Sequence, residues 1–546
     1  MVRTRLLPVL VAVGLFTGQV TSLATSDSWR DVDLGQSSYV GGSHNLDPAV
    51  VDSPHFGLRW KVDFNKGETH YARPLIYTPP STNKQIVFLA STENRLRVLD
   101  AETGEVLKKR KLAEPFPLAE AFCTQVSETL GIMGTPTIDP ETDTAYFYAK
   151  SYIPYYRDVT KTGIINGVYY FYAVDVNTLE DIEGFPILID GLHADNDPRR
   201  YFIGGTILQR PSLLQLGDIV YAGFGGLCDA FNATGTIIGI DVKQKKVTTH
   251  WVTQAGPDAP FSEDWTAWHG GGPGGVWQSG QGLATDGGSI FFVSDNGGGS
   301  MDETIDTTPR RGNASLSILS EVVARVNPTA DGGLDVVDFF RPHNYQYDDE
   351  KDLGSGGFSL LHPYFNSTTV SRIGTVASKN NKIFIFDAYN LGGYRQGSNG
   401  TDAVLQTIPV GGEVFGSIGS YPLDGGYIYV APLRNPLSAY KLSITEDGTP
   451  QFVFAGQSEV STRQNRGTGI PTVTSFHDEP GTGIVWLTDP DAGLDAWYAV
   501  PGEDGVLKKI NLPTVNGANR YSRPAFGDGK VYVVDGEGSL VCLGVL

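Results

Sequence analysis

Three groups of side chains in this sequence are of the right type and spacing to do chemistry. Trp265, Trp268, His269 and Trp277 crowd a stretch rich in Gly and Pro. Flat rings held in a loop can stack on a sugar or another planar ligand, or they can plug a gap between structural elements. Arg73, Arg210 and Arg523 each precede a proline. A guanidinium binds a carboxylate through paired hydrogen bonds, and it can equally bridge buried backbone carbonyls. His343, Asp348, Asp349 and Asp352 lie close together. Such carboxylates can ligate calcium or act as a base, but their spacing is not that of an EF-hand, and an acidic loop is by default a solvated one.

The elements that must position these residues recur along the chain. In the first copy Arg73-Pro74 leads into a short strand over 73–77. An apolar second strand covers 85–90, and a third over 96–100 ends in the turn Ala101-Glu102-Thr103-Gly104. A fourth covers 105–112. Related units begin at Gly134, Arg210, Trp277, Gly357, Phe415, Gly469 and Arg523. Short aromatic and β-branched runs cut by glycine turns predict an all-β protein. The eighth copy runs out after three strands, and residues 58–64 (LRWKVDF) supply a strand before the first. A terminal strand that completes the last unit closes a ring and removes its open edge. The pattern therefore predicts a single β-propeller of eight four-stranded blades over 58–546, behind a lead-in segment over 25–57. Seven blades is the alternative if 357–410 is mostly insertion. The longest inserts fall in blades two to five, and inserts grouped on one face build a binding face.

The repeats resemble the pyrroloquinoline-quinone (PQQ) type repeat of the quinoprotein alcohol dehydrogenase-like superfamily, most clearly at 95–107 (RLRVLDAETGEVL) and 522–533 (SRPAFGDGKVYV). The likeness spans 58–546 and implies a secreted eukaryotic, fungal-type member. Residues 270–296 resemble the glycine-tryptophan segment of the quinoprotein dehydrogenases. That resemblance implies that Trp277 stacks under the quinone and that Asn296 ligates calcium. Arg73, Arg210 and Arg523 would then meet in the channel and hold the anionic quinone. Residues 341–357 resemble the family's Pro-His-Asp acidic loop. The chain departs from the family in having no adjacent cysteines, no counterpart of its glutamate calcium ligand in blade two and no haem motif. Asp302 and Asp306 are the nearest in place to its catalytic aspartate.

Composition bounds the setting. Arg3 and Arg5 precede a short apolar run over 6–16, and Ser22-Leu23-Ala24 has the small-x-small form of a cleavage site. Residues 1–24 read as a secretory signal, since that run is shorter than the roughly 20 residues that cross a bilayer. Four N-x-Ser/Thr sequons, at Asn232, Asn313, Asn366 and Asn399, fit an exported glycoprotein. The net charge of -20 opposes nucleic acid and anionic membranes as partners. Of three cysteines, Cys123 and Cys228 lie in loop-like stretches and are expected to pair, while Cys542 lies in an apolar strand.

The expected function is a secreted, quinoprotein-like oxidoreductase acting on a small-molecule alcohol or sugar, with PQQ and calcium as the implied cofactors. The alternative is a non-catalytic extracellular propeller that holds a glycan or another protein on its loop-rich face. A cofactor-free lyase or hydrolase is a third reading, because propellers host those as well.

Overall fold

In the computed structural model, residues 24–546 are described apart from 43, 66, 122–126, 159, 161–162, 230, 258, 269, 297–317, 346–351 and 463–466. Among the described residues, eight largely antiparallel sheets of four or five strands form a ring around a central channel. Blade 1 shows the packing rule. Its second strand, Ile86–Ala90, is buried at every position. Successive side chains point to opposite faces of a strand. Ile86, Phe88 and Ala90 thus pack toward blade 2, and Val87 and Leu89 toward blade 8. A sheet covered on both faces needs apolar residues throughout, and the second strands of blades 1, 4 and 6 accordingly read as unbroken apolar runs. One hydrophobic cluster of this kind fills each of the eight junctions between blades.

Blade 8 takes Ala525–Gly527, Lys530–Val534 and Leu540–Val545 from one end of the chain and Phe56–Val62 from the other. Phe56 opposes Val545 and Val62 opposes Leu540. This strand begins two residues earlier than the sequence predicts. Phe64 has left the sheet, and its ring lies 4.3 Å under the Arg97 guanidinium. The fifth copy is a full blade of Ser359–Leu360, Ile373–Ser378, Lys382–Asp387 and Gln406–Pro409, which excludes a ring of seven.

The segment before that closing strand has a structure the sequence did not announce. It circles the channel and touches all eight blades in order. Ser28 exchanges backbone hydrogen bonds with Ile76 of blade 1, and the Trp29 carbonyl accepts from Ile138 of blade 2. Asp31 accepts from the Ser212 hydroxyl of blade 3 at 3.2 Å. The Leu34 and Gly35 carbonyls accept from Thr285 of blade 4 and Leu360 of blade 5. The Ser37 carbonyl accepts from Ser420 of blade 6. Tyr39–Val40 then pairs in parallel with Thr472–Thr474 of blade 7, and His44 accepts from Gly529 of blade 8. The polar backbone of this loop is satisfied by the innermost strands it crosses, as buried backbone must be.

Asn366 and Asn399 are exposed, whereas the Asn232 amide donates to the Ser262 carbonyl at 2.5 Å; Asn313 lies outside the described residues. Cys228 is disulfide-bonded, and Cys123 lies outside the described residues. Cys542 is a buried free thiol, which burial pushes up to about 12. No helix among the described residues is long and apolar enough to cross a membrane.

Candidate functional site

In a four-stranded meander, the turn between the second and third strands and the link to the next blade leave at the same end of the blade. The N-terminal loop follows the other end, where innermost strands turn into second strands. At the former end, described turns and links from seven blades line a cavity of about 480 Å³. Its walls are aromatic and its polar groups fall into two sets.

Trp277 enters from the link between blades 3 and 4. Its indole lies face-on to the Gly225 backbone. A Cβ added there would fall 2.5 Å, 2.6 Å and 2.8 Å from three atoms of the ring. Gly275 gives way in the same manner, its added Cβ lying 2.8 Å from the indole nitrogen. Two glycines thus form a cradle that lets the ring lie against the backbone, and the indole lines the cavity. Phe415 and Tyr521 add a stacked pair, with ring centroids 6.2 Å apart.

Arg210 forms the first polar set. It sits where the innermost strand of blade 3 is interrupted between Ile207–Gln209 and Leu214–Leu216. Its side chain is buried, with one long contact to the Met133 carbonyl at 3.5 Å, and its second terminal nitrogen has no acceptor. Burial lowers its pKa from the ordinary value, with Tyr71, Tyr521 and Asp31 opposing that shift. A buried guanidinium with an unused donor is a place for an anion.

The second set is a group of carboxyls. Oxygens of Asp295, Glu321 and Asp352 all lie within 4.8 Å of one another. Asp295 follows the second strand of blade 4, Ile290–Val293, Glu321 precedes its third, and Asp352 comes from the link to blade 5. Asp295 and Asp352 line the cavity, and Glu321 is buried behind them. Glu321 accepts from the Leu353 amide at 2.9 Å. Burial holds its carboxyl well above the usual range, and the neighbouring Asp352 adds to this. Lys379, from the turn between second and third strands of blade 5, pairs with Asp352. Burial alone would pull its ammonium down, but Asp352 and Asp295 more than offset that and push it up.

Of the residues singled out in the sequence, Trp277, Arg210 and Asp352 meet in this cavity. Arg73 and Arg523 do not line it; they lie lower in the channel, against the N-terminal loop. Asn296 adjoins the carboxyl group, whose member is Asp295; its own backbone amide donates to the Asp295 carboxylate at 2.9 Å. Trp265 packs on Phe231, and Trp268 is 70% exposed. His343 pairs with Asp402 at 3.0 Å, away from the group. His269, Asp302, Asp306, Asp348 and Asp349 lie outside the described residues. Glu321 and Lys379 were missed. Each sits in a turn without a recognisable motif, and a contact between blades 4 and 5 brings them together.

No family model matches the sequence, and no curated protein matches it. Solved structures do. The quinohemoprotein alcohol dehydrogenase of Comamonas testosteroni superposes with a TM-score of 0.63 at 14% identity, over 95% of this chain and 81% of that one. A quinohemoprotein alcohol dehydrogenase of Pseudomonas putida HK5 gives 0.59 at 12% identity, over 95% and 80%. A europium-containing methanol dehydrogenase gives 0.60 at 13% identity, over 96% and 98%. At these identities the likeness establishes a shared eight-bladed fold.

Proposed function

We propose that this protein is an oxidoreductase that acts on a small-molecule alcohol or sugar at the cavity beside Trp277, with a quinone-type cofactor. One observation carries the reading. A single cavity joins a glycine-cradled indole, a buried guanidinium with an unused donor, and three clustered carboxyls. The likeness in fold to alcohol and methanol dehydrogenases supports it.

The residues fit the cofactors that fold implies. A planar quinone carrying carboxylates would lie against Trp277, with Arg210 binding a carboxylate. Three oxygen-bearing side chains of this spacing suit a hard cation such as calcium. Asp295, Glu321 and Asp352 would hold it. The quinone, when bound, supplies the two-electron acceptor for alcohol oxidation. The chain's own groups do the rest. The stacked Phe415 and Tyr521 rings exclude water from the channel side. Lys379 pairs with Asp352 and fixes that side chain at the cavity wall, where a bound alcohol would meet it.

Reconstitution tests the reading. Purified protein is incubated with PQQ and calcium, binding is followed by tryptophan fluorescence, and dye reduction is measured with a panel of alcohols and sugars. Quenching and turnover that both vanish in Trp277→Ala are expected. Absence of both binding and turnover in the wild type removes the proposal.

A second reading rests on Lys379. Its ammonium already gives Asp352 a counter-ion, so the cavity is able to hold a ligand without a metal, as a non-catalytic glycan- or protein-binding propeller would. Glycan-array signal without dye reduction selects this reading. The signal-like residues 1–24 and the bonded Cys228 support export in either case.

A further inference from the structure

Beneath the cavity floor lies a second, enclosed void, and three arginines line it. Arg73, Arg210 and Arg523 surround it together with Asp31, Tyr71 and Tyr521. Its free volume is about 10 Å³, roughly what one water-sized sphere requires. The three arginines are only 4%, 6% and 4% exposed.

Each guanidinium is partly satisfied and keeps one donor unused. Arg73 donates through Nε to the Pro524 carbonyl at 2.9 Å and more weakly to the Arg30 carbonyl at 3.4 Å. Arg523 donates to Asp31 at 2.6 Å and to the Ser38 hydroxyl at 3.0 Å. Arg210 makes the one long hydrogen bond to Met133 and stands 5.4 Å from the centre of the Tyr71 ring. One terminal nitrogen of Arg73, one of Arg210 and the Nε of Arg523 are buried without an acceptor. Asp31 is the one carboxylate among the residues lining the void. The phenols of Tyr71 and Tyr521 are pushed up by burial, so they stay neutral and add no negative charge. Three buried cations therefore share one carboxylate at the wall of the void, and beyond it Asp33 offsets part of the Arg523 charge alone. Burial draws the Arg73 guanidinium down to about 10, with the Arg523 charge adding to the fall.

We propose that this void binds one small monovalent anion, a halide such as chloride, held by the unused donors of Arg73, Arg210 and Arg523. The balance of charge and the count of donors both ask for an acceptor there, and a water-sized space leaves no room for sulfate or phosphate. The anion would tie blades 1, 3 and 8 to one point of the channel. Because Arg210, Tyr71 and Tyr521 also line the cavity above, the same donors offer a second source of negative charge, a ligand carboxylate reaching down. The halide site does not depend on the oxidoreductase reading.

Crystals grown in sodium bromide test it directly. An anomalous peak between the three guanidiniums is expected. In solution, melting is followed while chloride replaces gluconate at constant ionic strength. A saturable rise of about 2 °C is expected, because a ligand that binds only the folded state stabilises it in proportion to the logarithm of its excess. Arg210→Gln should abolish that rise and melt in gluconate no lower than the wild type. Identical melting in both salts overturns the proposal, and so does a void without an anomalous peak. If crystals with a carboxylate-bearing ligand in the cavity show its carboxylate in the void and bromide crystals show no peak, the donors belong to the ligand and the halide site is refuted. Should Arg210→Gln fail to fold, the bromide map of the wild type decides alone.

Discussion

Asp31→Asn tests whether Arg523 serves the scaffold. Asp31 and Arg523 form a contact of 2.6 Å, with side chains 5% and 3% exposed. The pair ties the N-terminal loop to blade 8, and the same carboxylate takes the Ser212 hydroxyl of blade 3. Removing one charge of a buried pair costs about 3–5 kcal/mol, because the other is left uncompensated. Asparagine keeps the shape and can still accept from Arg523 and Ser212, which recovers about 1 kcal/mol. The net loss is then about 2–4 kcal/mol. Unfolding entropy of about 2.1 cal/mol/K per residue over 546 residues is about 1.1 kcal/mol/K. Melting should therefore fall by about 2–4 °C. The assay is thermal unfolding in gluconate buffer, paired with limited proteolysis, and the first new cleavages are expected within 25–45. The double variant Asp31→Asn/Arg523→Gln removes both charges and should lie closer to the wild type than the sum of the single variants, by about 2 kcal/mol of coupling. Unchanged melting of Asp31→Asn, or strictly additive losses, would refute the structural role of the pair.

Three further outcomes follow from the same geometry. Gly225→Ala places a methyl 2.5 Å from the Trp277 ring and should push the indole into the cavity, so PQQ affinity by fluorescence titration should drop by about tenfold or more, equivalent to about 1.4 kcal/mol. Glu321 is raised from 4.5 to about 8 in the folded protein, so its stabilising contribution is complete below about pH 4.5 and is lost as pH rises through 8. In metal-free buffer Glu321→Gln should match the wild type near pH 4.5 and exceed it increasingly up to pH 8, by at most about 1.4 kcal/mol per pH unit; a melting difference that does not change with pH contradicts this. Cys542 should resist iodoacetamide in the native protein and react on unfolding, as read by mass spectrometry, because its thiol is buried and pushed up to about 12.

Much of the scaffold was legible because its rule is local. The run over 86–90 is apolar at each position since both faces of a blade are covered. The missing fourth strand of the last copy could be counted, and its supply by residues before the first copy followed from closing the ring. Trp277 stood out in the sequence because it stands among glycines, and it lines the cavity, where Gly225 and Gly275 make room for its ring. The Arg-Pro recurrence was also visible, but its meaning was not. Arg73, Arg210 and Arg523 look equivalent in sequence. Only Arg210 reaches the upper cavity, because the innermost strand of blade 3 breaks at that residue.

The N-terminal loop, the carboxyl group and the arginine void share one property. Each is made by contacts between residues far apart in sequence, and no local spacing encodes them. Asp31 meets Arg523 only because the ring closes, and Glu321 meets Asp352 only because blades 4 and 5 abut. The sequence by itself determined the repeat and the closure, since those follow from apolar alternation and turn residues within each copy. Tertiary structure alone decided which polar side chains share a buried space. A buried charge is defined by what stands opposite it, and the partner comes from another blade.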